Sequence, residues 1–492
     1  MQQSHFDVLI VGAGISGVGA AYHLQTHCPE KTYAIIEARQ AVGGTWDLFR
    51  YPGIRSDSDM YTFGFKFKPW VSPKAISPGA DIRHYLNEAA TENGIDQHIQ
   101  FGQKVIAAAW DTETALWTLQ LKNLQNGDIH AVTCGFFFSC GGYFNYEQGY
   151  SPEFKGRDEF EGQIIHPQHW PEDLDYAGKK VVVIGSGATA VTLVPTLAKT
   201  AASVTMLQRS PTYIASRPEQ DTLANSFRRY LPTKWAYRLS RWKQILLHLY
   251  IYSFCKRHPE RAKRLIIKGV KEQLGDDYDV AKHFTPSYNP WDQRICLVPD
   301  GDLFAAINSG VADVVTDHID AFTSSGIRLQ SGDELSADII VTATGLNVEI
   351  FSGMELSVDG RVINPAETYC YKGMMLSGLP NLAFSMGYTN ASWTLKSDLV
   401  AEYVCRLLNH MDAKGESFCT PMVPEEGVEE EPFMDFTSGY VTRALASLPK
   451  QGVSKPWKLY QNYIKDRLSL GRGAFEDDCM KFGRVGSAGG EG

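Results

Sequence analysis

The chain has 492 residues, 43% hydrophobic and 12% aromatic, enough to bury more than one core and to suggest roughly two to four domains. Its formal net charge of −9 argues against nucleic acid as the main partner. Nine scattered cysteines without CxxC or CxxxxC spacing give no disulfide or metal framework and point to a reduced cytoplasmic protein.

The first element is a continuous apolar run at residues 6–11 (FDVLIV), as expected of a parallel strand buried on both faces. It starts so early that no signal peptide is expected before it. The loop GAGISG follows, with Gly12 for the tight turn, Gly14 for close approach to a pyrophosphate, Ser16 within the loop, and Gly17 for helix–strand packing. The helix N-terminus behind it offers free N–H groups to phosphates. A second strand, residues 33–36, ends in Glu37, 20 residues past Gly17, where an acid binds a ribose hydroxyl. Strand, loop, helix, strand and acid in register mark a dinucleotide site.

Next come Gly43-Gly44-Thr45-Trp46 and RYPGIRSD, residues 50–57. Proline and glycine make this an ordered loop that can cover a nucleotide-bound ring. Arg55 and Asp57 within it read equally well as a surface pair. Buried strands at 136–139 and 339–342 run into Cys140-Gly141-Gly142 and Ala343-Thr344-Gly345, like paired crossings of a nested architecture.

Between the crossings lies FEGQIIHPQHWP, with Phe160, Gly162, His166, Trp170 and Pro171 at fixed spacing, placed as an interdomain linker should be. The strand at 179–184 then opens a second loop, Gly185-Ser186-Gly187-Ala188-Thr189-Ala190, the accepted GxGxxA form. The strand after it ends not in an acid but in Gln208-Arg209-Ser210. An acid there would repel a 2′-phosphate, whereas an arginine pairs with it, so NADP(H) is expected over NAD(H).

Between about 217 and 277 the composition shifts. Trp235, Tyr237, Leu239, Trp242, Ile245, Leu246 and Leu249 interleave with Arg228, Arg229, Lys234, Arg238, Arg241 and Lys243. Amphipathic helices capping the second domain are expected. A basic aromatic helix can also lie on an anionic membrane, but core packing with snorkelling arginines is preferred. The most apolar run, residues 245–254, is too short to span a bilayer. An aromatic turn, YNPW, then precedes Asp292-Gln293-Arg294. In the C-terminal third, small and polar residues 387–393 follow an apolar run and suit a loop against a flavin ring. The tail GSAGGEG reads as disordered.

FEGQIIHPQHWP matches the fingerprint of Baeyer–Villiger monooxygenases, and GGTW…RYPGIRSD resembles their flavin-covering loop. GGTWDLFRYPGIRSDSDMYT, HPQHWPEDLDY, VVIGSGATAVTLVP, YNPWDQR and MGYTNASWTLK resemble the branch of bacterial ethionamide-activating monooxygenases over nearly the whole chain. The resemblance implies an α/β fold of two Rossmann-like domains, the NADPH domain (143–344, with the helical insert) set into an FAD domain (1–142 and 345–492). It implies FAD in the first site, with Val105 contacting the adenine through its backbone, Arg294 as active-site arginine, and Asp57 holding it. Much of the family has Lys where Gln293 stands, which puts the strength of NADPH discrimination in question. The implied reaction uses NADPH and O2 to insert one oxygen atom into ketones, giving esters or lactones, and to oxygenate thioethers or thioamides. A flavin-containing or N-hydroxylating monooxygenase is the alternative within oxygenation, with Trp170-Pro171 and Arg294 against it. An NADPH-consuming redox or sensor flavoprotein is the alternative outside it.

Overall fold

A computed structural model describes residues 4–434, 436–473 and 475–486, apart from the Arg472 side chain. The tail expected to be disordered lies, from residue 487 onward, outside the described residues.

Two sheets organise the α/β fold. In the first, His5–Val11 lies between Tyr33–Glu37 and Ile129–Ser139, parallel to both, with Leu9 opposite Ala34 and Phe137. Fully apolar strands suit this place because helices cover one face and a meander the other. Ile15–His27 and Trp393–Lys414 share one core with the strands. Gln103–Asp111, Leu116–Asn123 and Ile129–Ser139 run antiparallel. Two segments from the far end of the chain complete the sheet: Glu355–Val358 beside Gln103–Asp111, and Leu382–Phe384 beside Ile129–Ser139.

The second sheet is all parallel, in the order Ala312–Thr316, Ser203–Gln208, Lys180–Ile184, Ile339–Thr342, Gln163–Ile165. The two are thus nested, as expected. The crossings themselves are a ribbon: Phe144–Gly149 pairs antiparallel with Leu346–Val348. This corrects the expectation for FEGQIIHPQHWP. The segment is not the linker; it supplies the edge strand Gln163–Ile165 of the second sheet, and the ribbon crosses beside it.

The insert forms three helices, Thr222–Tyr230, Thr233–Arg257 and Pro259–Leu274. The expected cap on the second domain holds for Pro259–Leu274, whose Val270 packs in that domain's core, and is corrected for the long helix, which lies against the first. Arg241, 5% exposed, donates from Nη1 to the carbonyls of Tyr61, Thr62 and Gly64 and lies 3.6 Å from Asp398. Tyr237 donates to the Phe65 carbonyl. These carbonyls close the short helix Met60–Phe63, whose last C=O groups have no partner within the helix.

Candidate active site

A cavity of about 520 Å³ opens at the carboxyl ends of the first sheet's parallel strands. Gly12, Gly14, Ser16, Glu37, Gly44, Thr45, Trp46, Asp57, Val105 and Arg294 all line it. The loop conformation follows from its glycines. Gly12 has φ +104, and a Cβ there would sit 2.7 Å from the Cys140 carbonyl oxygen. Gly185 repeats the arrangement in the second loop, with φ +133 and a Cβ 2.4 Å from the Ala343 oxygen. Each loop therefore turns against the end of a strand that leads into a crossing.

Glu37 is buried and accepts from the amides of Ala13 (2.6 Å) and Arg39 (2.8 Å). Burial pushes its carboxyl above the usual range, while those amides oppose the shift. It lines the cavity beside Gly12 and Gly14. Thr45 Oγ1 lies 3.2 Å from the Tyr146 hydroxyl, and Trp46 packs edge-on to Phe63.

The arginine and aspartate that the resemblance pairs are 237 positions apart and meet here. Arg294 Nε lies 3.2 Å from Asp57 Oδ2, and Nη2 donates to Oδ1 at 3.3 Å. The Asp57 charge raises the Arg294 pKa further, against desolvation, so the guanidinium is always cationic. Arg55 does not join them. It pairs with Asp302 at 2.5 Å and is absent from the lining of this cavity, which corrects the reading of Arg55 and Asp57 as one surface pair.

The turn that presents Arg294 is unusual. Trp291 has φ +72, in the left-handed region that costs a bulky residue about 1–3 kcal/mol. Asp292 secures the turn: its carboxylate accepts from the Asn289 amide, and its carbonyl accepts from Thr437 N and Oγ1, both at 3.0 Å. Tyr252 of the long insert helix meets the Trp291 ring edge-on. Insert, turn and C-terminal segment thus hold one arginine.

The second loop lies two residues beyond Arg294, where Cys296 Sγ meets the Ser186 carbonyl at 3.9 Å. Gly187, Ala188, Arg209 and Ser210 are exposed, Ser186 and Thr189 half-buried, and Ala190 packs in the core. Ser186 Oγ contacts the Ser210 carbonyl and Thr212, which sets Arg209 beside the loop. Gln208 turns the other way: its amide is buried and donates to the His283 carbonyl and Thr316, so its side chain does not face the loop's open side.

In the fingerprint, Phe160 and Trp170 are core residues, Pro171 is exposed, and a Cβ on Gly162 would strike the Asp338 carbonyl. Its polar side chains fasten the ribbon. His166 Nε2 lies 3.2 Å from the Gly345 carbonyl, Nδ1 accepts from the Gln168 amide, and the ring occupies the space a Gly149 side chain would need. Gln168 bonds the Asn145 carbonyl and His169 that of Glu147. Nδ1 accepting and Nε2 donating require a neutral ring, and burial lowers its pKa accordingly.

Residues 387–393 were expected as a loop beside a flavin ring, and Trp393 at their end lines the cavity; Ser385, Tyr143 and Thr437 were not anticipated. Trp393 donates to Ser16 Oγ at 2.7 Å, Ser385 bonds the same hydroxyl, and Tyr143 stacks on Trp393 at 5.2 Å. The apolar run before residues 387–393 was the signal that placed Trp393; Ser385, Tyr143 and Thr437 carried none.

The donor set fits a dinucleotide flavin. Gly14 and Gly44 leave backbone, not side chains, at the cavity wall, Glu37 stands at a ribose position, and Trp393 and Trp46 offer aromatic walls. At the second loop a Cβ on Gly187 would meet nothing within 4 Å, which leaves room for a second pyrophosphate at the helix Ala188–Leu197.

Comparison with known proteins agrees with this geometry. Residues 75–383 match the flavin-binding monooxygenase-like family, and residues 10–73 an NAD(P)-binding Rossmann-like domain. The FAD-containing monooxygenase EthA of Mycobacterium tuberculosis is 56% identical over 481 residues, 98% of each chain. Among solved structures, cyclohexanone monooxygenase from Rhodococcus sp. Phi1 bound to NADP+ superposes with a TM-score of 0.77 at 19% identity, covering 98% of this chain and 100% of that one. OTEMO in complex with FAD and NADP superposes with a TM-score of 0.73 at 21% identity, with the same coverage.

Proposed function

The chain belongs to the flavin-binding monooxygenase-like family, and from that premise we propose that it is an FAD-containing, NADPH- and O2-dependent Baeyer–Villiger monooxygenase. Its substrates are ketones, converted to esters or lactones, together with thioethers or thioamides. FAD and NADPH, when bound, supply the hydride transfer and the activation of oxygen.

The protein's own contribution is placement and charge. The first loop, Glu37 and Val105 hold the flavin nucleotide; the second loop binds the pyrophosphate of NADPH, and Arg209 its 2′-phosphate. Arg294 presents a fixed cation where negative charge builds up on oxygen, and Asp57 keeps its guanidinium in one orientation. Tyr143, Met386, Tyr388, Trp393, Phe436 and Tyr440 surround Arg294 with a mostly apolar wall. Such a wall suits an apolar carbonyl or a soft sulfur.

The observation that carries this reading is the Arg294–Asp57 pair on the wall of the cavity built by the first glycine loop. The test is a panel of cyclic, linear and aryl ketones with thioethers, scoring oxygenated product and hydrogen peroxide per NADPH consumed. Product close to one per NADPH for some member supports the reading. Peroxide alone across the panel, with FAD bound, refutes it.

A further inference from the structure

We infer that the outward face of the insert is a docking surface for an anionic lipid bilayer. The Thr233–Arg257 helix buries Ala236, Tyr237, Ser240, Arg241, Gln244 and Ile245. A helix of a water-soluble protein is polar on the face opposite its core. Here that face carries Trp235, Leu239, Leu246 and Tyr250, spaced 4, 7 and 4 residues apart and 58, 43, 54 and 67% exposed. Such a stripe is apolar surface that the fold leaves in water.

Charge identifies the occupant. Residues 222–274 carry thirteen Lys and Arg against two Glu, in a chain whose net charge is −9. On the helix Pro259–Leu274, Arg261, Arg264, Lys268 and Lys271 are all exposed, three to four residues apart and so on one face. Among the described residues Lys234, Arg238, Arg257, Arg261 and Arg264 form no ion pair, whereas inward-facing Arg241 and Lys243 do, with Asp398 and Asp221. An apolar protein partner would cover the stripe and leave the cations unmatched. A polyanion would match the cations and leave the stripe in water. A bilayer with anionic headgroups satisfies both, with the aromatic rings at the interface.

The inner face of the same helix, at Ile245, His248 and Leu249, lines one small pocket with Asn390 and Ala391, and Ala391 also lines the cofactor cavity. Docking therefore sets the cavity about one helix diameter, roughly 10–12 Å, from the lipid.

The experiment is flotation of the holoenzyme with vesicles of phosphatidylglycerol and phosphatidylcholine, or of phosphatidylcholine alone, at low salt. The parent floats with the anionic vesicles only. Leu246→Ser/Tyr250→Ser and, separately, Arg261→Glu/Arg264→Glu lower the bound fraction about tenfold. Both variants keep the parent's melting temperature and its turnover of a water-soluble substrate, because none of the four residues touches the core or the cavity. A parent that stays unbound overturns the inference, as does equal flotation with neutral vesicles or unchanged flotation of both variants. A parent that sediments as a dimer without vesicles, and as a monomer after Leu246→Ser/Tyr250→Ser, reassigns the face to a second copy and also overturns it.

Discussion

Arg294 and Asp57 form a two-point ion pair, Nε to Oδ2 at 3.2 Å and Nη2 to Oδ1 at 3.3 Å, that joins the second sheet's lobe to the loop over the first. One hydrogen bond and a second close ionic contact restrain the orientation of the guanidinium.

Losing a preorganised cation of this kind costs about 2.7–4 kcal/mol, or 10²–10³ in rate. Arg294→Ala is therefore expected to fold, retain FAD and oxidise NADPH, while oxygenated product falls by that factor and hydrogen peroxide rises. Arg294→Lys recovers only part, since it lacks the planar fork. Product analysis alongside NADPH consumption checks this; full product yield from Arg294→Ala removes the residue from the mechanism.

Coenzyme selection rests on Arg209. Arg209→Ala removes a charge-assisted contact of about 1.5–3 kcal/mol, so the KM for NADPH rises about tenfold or more while that for NADH stays put. Gly187→Ala is a companion test. Its Cβ has open space, so the melting temperature holds, yet it occupies the path of a pyrophosphate and weakens both coenzymes. Equal weakening of NADPH and NADH by Arg209→Ala counts against the assignment.

A pH effect follows from His166. Burial lowers its folded-state pKa below the ordinary 6.5, so the unfolded chain takes up the proton first. The stability contributed by the neutral ring is complete above about pH 6.5 and is lost as pH falls through the lower folded value. His248 and His283 shift in the same direction, so His166→Gln should flatten, not abolish, the acid limb of a melting-temperature profile. A limb as steep as the parent's would show that the ribbon tolerates a charged ring.

The seat of the insert is tested by Arg241→Ala. It removes three carbonyl contacts and leaves Asp398, 2% exposed, with one cation fewer. Breaking a buried pair of this sort typically costs about 3–5 kcal/mol, so a clear drop in the thermal midpoint is expected. An unchanged midpoint would mean the helix is held by its apolar contacts alone.

What the sequence revealed was local. Gly12 to Glu37 and Gly185 to Arg209 each lie within one strand–loop–helix–strand unit, whose spacing is dictated by backbone geometry and phosphate size. Tertiary pairings left no comparable trace. Arg55 and Asp57 carry opposite charges two residues apart and could have paired with each other; only folding sends the first to Asp302 and the second to Arg294. The long insert helix's partner was misjudged because it is a set of main-chain carbonyls, at residues 61, 62 and 64, which no side chain advertises. The polar fingerprint residues likewise bind backbone, so their role as fasteners of the ribbon could not be read from residue type.

The ribbon also has a bearing on modularity. Because Phe144–Gly149 and Leu346–Val348 are antiparallel neighbours, and the Glu349 amide donates to the Tyr143 carbonyl at 3.0 Å, the polypeptide departs and returns at a single doorway. A two-residue hairpin could close that doorway in the outer lobe, and the inner lobe has adjoining ends that suit transplantation as one cassette. Arg241 sets the condition for such a graft: a recipient must offer carbonyls where residues 61, 62 and 64 stand, or the transplanted cassette arrives with a buried cation and no acceptor.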